Sequence, residues 1–206
     1  MSEALLILDG VEKVYTRGVL RPKTTFRIAA DLVFQEPAIV GMMGPNGAGK
    51  TTLFEMMTGS NVPTAGRVLC CGKDIHRVKY RERDRLAIHY HQSYQVRSFR
   101  RRMPSFLLDS AGSAYPMVHL FDEPQFNTQD GYIGFMLDFF RRLRSENRLV
   151  FVCLHPTAKY HLDILKEVCE RFVFVAGGRA DEAPSLEALK EDTRFRAYLG
   201  ELIAVA

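Results

Sequence analysis

AIVGMMGPNGAGKTTLFEMMTGS, residues 38–60, decides how the chain is read. Its first part, 38–43, is a short apolar run of the kind that forms a strand buried on both faces. The run opens directly into Gly44-Pro45-Asn46-Gly47-Ala48-Gly49-Lys50-Thr51, and a helical pattern follows over 50–58 until Gly59 stops it. The octapeptide fits G-x-x-x-x-G-K-[ST], and its place between a strand and a helix is what makes that pattern a phosphate-binding loop. Glycines let successive backbone N–H groups turn inward onto an anion, and the following helix aims its positive end at the same point. Gly44, Asn46, Gly47, Ala48, Gly49, Lys50, Thr51 and Thr52 are thus the expected nucleotide-binding residues. Lys50 is expected to reach the β- and γ-phosphates and Thr51 to ligate Mg²⁺, so the implied cofactors are ATP and Mg²⁺.

Two downstream strands point at the same chemistry. Met117-Val118-His119-Leu120-Phe121-Asp122 is apolar until it ends in an acid suited to hold Mg²⁺, and Glu123 follows where it can orient or deprotonate an attacking water. Leu149-Val150-Phe151-Val152-Cys153-Leu154-His155 is a second buried run, ending in a histidine. Ligands of open α/β sheets bind at the carboxyl ends of the strands, so His155 is placed to contact the γ-phosphate. Tyr15, in Val11-Glu12-Lys13-Val14-Tyr15, reads either as a core tyrosine or as a platform for a base.

Outside these motifs the pattern predicts strands over 4–8, 25–34, 67–71, 115–121 and 171–175, with a turn marked by Gly18 and Pro22. Helices are expected over 79–85, 131–144 (with a basic end), 161–170 and 185–199. From residue 38 onward strands and helices interleave. The expected class is therefore α/β, a mostly parallel sheet with flanking helices and an antiparallel β layer at the N-terminus.

The 206 residues, 47% hydrophobic and 25% charged, suit one good-sized core in a single domain spanning 1–206. No apolar run reaches the 18 residues of a membrane span, and the acidic start lacks the basic region of a signal peptide. A cytoplasmic location is expected. The four cysteines show no metal-type spacing and are expected as reduced thiols. A net charge of +4 permits contact with anionic lipid or nucleic acid without requiring either.

Taken in order, Val11–Tyr15, GPNGAGKTT, Pro63-Thr64-Ala65-Gly66-Arg67-Val68, His91-Gln92, Phe121-Asp122-Glu123-Pro124 and the strand ending in His155 resemble the ATP-binding-cassette (ABC) ATPases. Phe174-Val175-Ala176-Gly177-Gly178-Arg179 is similar to the family's strand and turn after its switch histidine. Phe195-Arg196-Ala197-Tyr198-Leu199-Gly200-Glu201 is similar to the tail of lipopolysaccharide-export and branched-chain amino-acid transport ATPases. The resemblance implies a P-loop NTPase core of ABC type. It also implies that Tyr15 stacks on adenine, that Gln92 acts at Mg²⁺ and in catalysis, and that Glu123 and His155 complete the catalytic set.

Three departures qualify it. The family places a helical subdomain and an LSGGQ signature between the glutamine and the acidic strand; here residues 93–116 replace them and no LSGGQ occurs. Ser110-Ala111-Gly112-Ser113 leaves only residues 113–116, one of them a proline, for the helix that should follow it. The aspartate of the following loop is replaced by Gln129, with Asp130 one position late. The chain thus retains the half-site of Lys50, Thr51, Gln92, Asp122, Glu123 and His155 and lacks the half it would lend a partner. The expected partners are a second, signature-bearing cassette and membrane-spanning permease subunits, with the protein peripheral on the inner face of the membrane. Arg97, Arg100, Arg101 and Arg102 read equally as a docking run for permease or lipid headgroups and as a solvated loop. Nucleic acid is not an expected partner. The alternative function is a regulatory protein that binds ATP with little turnover; Glu123 and His155 speak against it.

Overall fold

The computed structural model describes residues 3–18, 20–90, 116–124 and 132–205. Strands β1 (Leu6–Arg17), β2 (Lys23–Phe34), β3 (Ile39–Met43), β4 (Ala65–Cys70), β5 (Lys73–Asp74), β6 (Ala87–Tyr90), β7 (Val118–Asp122), β8 (Leu149–Cys153), β9 (Arg171–Ala176) and β10 (Arg179–Ala183) belong to one sheet. Its order is β5-β4-β1-β2-β10-β9-β3-β8-β7-β6. The five strands from β9 to β6 are parallel, whereas β1 is antiparallel to both β2 and β4. The N-terminal antiparallel layer is continuous with the parallel part. β10 joins them, antiparallel to β9 and parallel to β2 through Arg179↔Ala29 and Ala180↔Ala30.

Helices α1 (Lys50–Met57), α2 (Tyr80–Leu86), α3 (Tyr132–Ser145), α4 (Lys159–Val168), α5 (Leu186–Lys190) and α6 (Thr193–Leu199) are followed by a 3₁₀ turn at Gly200–Val205. Alternation along β3 sorts the core onto two faces. Val40 and Met42 pack with Leu53, Phe54, Met56 and Met57 of α1. Ile39 and Met43 join Met136, Phe140 and Leu143 of α3 and Leu162 and Leu165 of α4. Each of β3, β7 and β8 is buried along its whole length, as parallel strands covered by helices on both sides must be. No helix among the described residues is long and apolar enough to cross a membrane. All four cysteines are free, Cys70 and Cys153 buried, Cys71 and Cys169 partly so.

Several elements differ from the sequence pattern. The first strand does not end near Leu8 but continues to Arg17, because a register shift between Leu8 and Val11 absorbs Gly10 at a positive φ of 55°. The helical stretch over 185–199 is two helices. Asp192 accepts the Arg194 N–H at 2.7 Å and so caps a new helix where one continuous helix was expected. β5, β6 and β10 are too short or too polar to register as periodic patterns. The stop at Gly59 is as expected: Thr58 is the helix C-cap and Gly59 takes a left-handed φ of 75°.

One polar side chain lies inside the acidic strand's core. His119 is 1% exposed and stacks parallel to Tyr90 and Phe121, with interplanar angles of 11°. Its Nε2 meets the Pro116 carbonyl at 3.2 Å, so that nitrogen carries the proton, and Nδ1 accepts from the Tyr90 hydroxyl at 3.1 Å. Burial, reinforced by the charge of Arg148, lowers its pKa to about 3 against the opposing pull of the Pro116 carbonyl. The folded state therefore holds a neutral imidazole that the unfolded chain protonates below about pH 6.5. Stability from this group is complete above pH 6.5 and drains as pH falls toward 3, at about 1.4 kcal/mol per unit. Urea unfolding at pH 7.5, 6 and 5 should show His119→Gln, whose amide offers one donor and one acceptor but does not titrate, losing less stability on acidification than the parent. Parallel pH profiles would remove His119 as the cause.

Candidate functional site

The loop after β3 is shaped by contacts that exclude side chains. A Cβ on Gly44 would sit 2.1 Å from the Val175 carbonyl oxygen of β9, a distance no side chain tolerates. Gly49, at φ 106°, is the N-cap of α1, and a Cβ there would meet the Phe26 ring at 2.8 Å. The loop is thereby pressed between the parallel sheet and β2. Lys50 is 7% exposed, and its ammonium donates to the carbonyls of Gly44 at 2.7 Å and Pro45 at 3.0 Å. Two of its three N–H groups thus stretch the side chain across the loop, and the third is available to a phosphate oxygen.

Asp122, at the end of β7, lies directly beneath. Thr51 Oγ1 donates to its Oδ2 at 3.0 Å, His89 Nε2 is 3.4 Å from the same oxygen, and the Cys153 thiol also bonds the carboxyl. Burial pushes the Asp122 pKa upward, but the bonds from His89 and Thr51 outweigh it and leave the carboxyl below its usual range. It is an anion at neutral pH. Phe54 holds the His89 ring edge to face, centroids 5.5 Å apart. No group of three or more His, Cys, Asp or Glu among the described residues forms a metal cluster. The donors here are one carboxylate and one hydroxyl, hard oxygens that suit Mg²⁺ completing its shell with phosphate and water. Glu123 adopts φ 48°, a left-handed conformation that is unfavourable before a proline, and its N–H bonds the Cys153 carbonyl at 3.0 Å. Such strain costs roughly 1–3 kcal/mol and is characteristic of functional turns.

Tyr15 and Phe26 face each other across β1 and β2 in direct register, with ring centroids 5.9 Å apart. The Tyr15 hydroxyl accepts from Asn61 at 2.7 Å, and the Lys13 ammonium lies 5.2 Å from the ring centroid. Tyr15 is 40% exposed, half solvated as a base-stacking surface must be. A cleft of about 350 Å³ is lined by Tyr15, Phe26, Asn46, Gly47, Gly49, Lys50, Thr51, Thr52, Asp122 and Glu123. It brings together an aromatic wall, a phosphate-sized loop and two carboxylates, an arrangement chemically fit for a purine nucleotide with a divalent cation.

Of the residues expected from sequence, Gly44 and Ala48 shape the loop without lining this cleft. His155, just beyond β8, is likewise off the lining and bonds Tyr198 at 2.9 Å. Gln92, His91, the basic residues Arg97, Arg100, Arg101 and Arg102, the Ser110–Ser113 stretch, Gln129 and Asp130 lie outside the described residues. Sequence reasoning missed Phe26, His89, Cys153 and Tyr198. Phe26 was signalled by the alternation of β2 opposite Tyr15; the other three had no local signal, since each reaches the site from a different part of the sheet or tail.

Residues 29–126 match the family model described as ABC transporter. The lipopolysaccharide export system ATP-binding protein LptB of Acidithiobacillus ferridurans is 37% identical over 90 residues, 44% of this chain and 34% of that protein. The lipoprotein-releasing system ATP-binding protein LolD of Ruegeria pomeroyi (strain ATCC 700808 / DSM 15171 / DSS-3) is 39% identical over 75 residues, 36% of this chain and 32% of that protein. The matched stretch spans about a third of each of these relatives. In three dimensions, a bacterial Atm1-family ABC exporter with ATP bound superposes with a TM-score of 0.68 at 17% identity, over 96% of this chain and 41% of that one. A dimeric ATP-binding cassette in a post-hydrolysis state with ADP and Pi gives 0.64 at 17% identity, over 87% of this chain and 98% of the other. Residues 29–126 are thus similar to the ABC transporter family, and the chain has the fold of an ATP-binding cassette.

Proposed function

We propose that this chain is an ATP-hydrolysing subunit of an ABC transporter that works by closing against a second, signature-bearing cassette. The observation that carries the reading is the convergence of Lys50, Thr51, Asp122 and Glu123 on one cleft walled by Tyr15. In this reading the base lies on Tyr15 and Phe26, and loop amides with Lys50 hold the phosphates. Thr51 and Asp122, 3.0 Å apart, hold Mg²⁺ with Gln92. When bound, the cation supplies charge neutralisation at the β- and γ-phosphates. Glu123 orients the attacking water, and His155 approaches the γ-phosphate from the end of β8. Lysine and hydroxyl position the leaving group, so the protein's part is mainly orientation and electrostatics.

The partner follows from the sequence. Residues 93–116 leave too little chain for the family's helical subdomain and carry no LSGGQ, which makes a pair of identical chains incomplete at both sites. A hetero-pair would hold one complete site, on the inner face of the membrane beside the permease. Support for pairing comes from a cassette of similar fold that is described as a dimer with ADP and Pi. A regulatory protein with little turnover is the second reading, favoured by the absent signature.

Lys50→Ala should lower turnover by about 10²–10³, the usual cost of removing one preorganised charge donor. Glu123→Gln should lower it by about 10²–10⁴ while ATP is still bound, as loss of a general base does; equilibrium binding of a fluorescent ATP analogue separates the two variants. The parent chain alone should hydrolyse slowly, and robust cooperative turnover without a partner would refute the asymmetric pairing. Tagged Glu123→Gln protein, captured from its own cells in Mg-ATP, should bring down a second cassette with membrane subunits. Capture of soluble proteins alone would favour the regulatory reading.

A further inference from the structure

Helix α6 meets the histidine after β8 at one point. Tyr198, on α6, places its hydroxyl 2.9 Å from His155 Nδ1. The N–H of Gly44, the first residue of the phosphate loop, also acts on this hydroxyl, drawing its pKa down against the larger upward push of burial. The phenol ring is wedged among Phe174, Phe195 and the imidazole itself, at centroid distances of 5.8, 6.2 and 5.6 Å. α6 is in turn fastened to the sheet. Arg194 bonds Asp181 of β10 at 2.9 Å and its guanidinium lies 5.9 Å from the Phe174 ring centroid, while Phe195 is fully buried. One oxygen thus links the tail to the histidine after β8.

The hydrogen-bond roles follow from chemistry. A backbone N–H can only donate, so that of Gly44 offers the phenol proton no acceptor. Burial holds the phenol protonated, its pKa raised, and its proton needs an acceptor. His155 Nδ1 is within reach and takes it. If Nδ1–H donated instead, the half-buried phenol hydrogen would have no acceptor among the described residues, which costs roughly 1–3 kcal/mol. With Nδ1 accepting, a neutral His155 carries its proton on Nε2, the opposite edge of the ring, as a donor suited to an anionic oxygen.

We propose that Tyr198 is a positioning residue: by donating to His155 Nδ1 it holds His155 in the Nε2–H tautomer and keeps the imidazole oriented beside the phosphate loop. The inference rests on the reading of His155 as the γ-phosphate contact; the tautomer itself does not. Tyr198 acts through His155 and touches no reacting atom. It also gives the tail a role beyond packing, because any movement of α6 displaces the hydroxyl from His155 Nδ1.

The test is the imidazole ¹⁵N spectrum of histidine-labelled protein, with and without Mg-ATP, for the parent and Tyr198→Phe. Phenylalanine keeps the ring packing and removes only the oxygen that meets His155. The parent should show His155 with a protonated Nε2 and an accepting Nδ1, and Tyr198→Phe should show a mixture of tautomers at a similar melting temperature. Where the chain turns over, alone or with its captured partner, Tyr198→Phe should lower kcat about 10-fold with KM little changed, the effect expected when a group is mispositioned for the transition state only. Adding Tyr198→Phe to His155→Ala should then have no further effect. A parent His155 protonated on Nδ1, or an unchanged tautomer in Tyr198→Phe, overturns the proposal even if the variant is unstable or no hydrolysis is found. A shifted tautomer with no detectable hydrolysis in any assembly would leave the Tyr198 link standing and sink the ATPase reading instead.

Discussion

Parallel pairing around β3 is the constraint on which the site depends. Met42 lies opposite Cys153 of β8, Cys153 lies opposite Asp122 of β7, and Met43 lies opposite Phe174 of β9. Strands that run the same way end at the same edge, so their carboxyl ends deliver Gly44, Asp122, His155 and Val175 to one rim. The register also explains why a glycine must open the loop, since the Val175 carbonyl occupies the space a side chain would need. Parallel strands cannot be joined by tight turns and require helical crossovers. Those crossovers cover both faces of β3, β7 and β8, and this is why the strands read as unbroken apolar runs.

Two opposite charges are buried at this rim, Lys50 at 7% and Asp122 at 6% exposure. Neither could be withdrawn from water without partners. They do not pair with each other in the way of a structural ion pair. Lys50 is satisfied by carbonyl dipoles of its own loop, and Asp122 by a hydroxyl, an imidazole and a thiol. Dipoles of this kind hold each charge in place while leaving it able to interact with an incoming phosphate or cation. The left-handed turn at Glu123 fits the same pattern: its unfavourable backbone is tolerated because the Cys153 carbonyl fixes its amide and the buried strand behind it sets its direction.

The antiparallel strands and the tail act on this rim from outside the parallel core. β1 and β2 bring Tyr15 and Phe26 into register as one wall, and Phe26 also closes over Gly49. β10 links that wall to β9, and through Arg194 it anchors α6. Tyr198 then returns from the end of the chain to His155. Parts of the chain far apart in sequence therefore share a small set of contacts around Gly44.

The sequence alone determined the phosphate loop, the two acid-bearing and histidine-bearing strands, and the α/β class. These features are local: a glycine spacing, an apolar run of strand length, and the residue that ends it are each readable over about eight positions. Tyr15 was visible as an aromatic, though only family resemblance assigned it to a base. Tertiary structure decided which side chains surround the charged groups. His89 and Cys153 flank Asp122 because β6 and β8 lie beside β7, Phe26 faces Tyr15 because a bulge at Gly10 sets the β1–β2 register, and Tyr198 meets His155 because Asp192 starts a separate helix. Each of these contacts is made by strand register or helix placement between distant segments, and no short window of sequence carries that information.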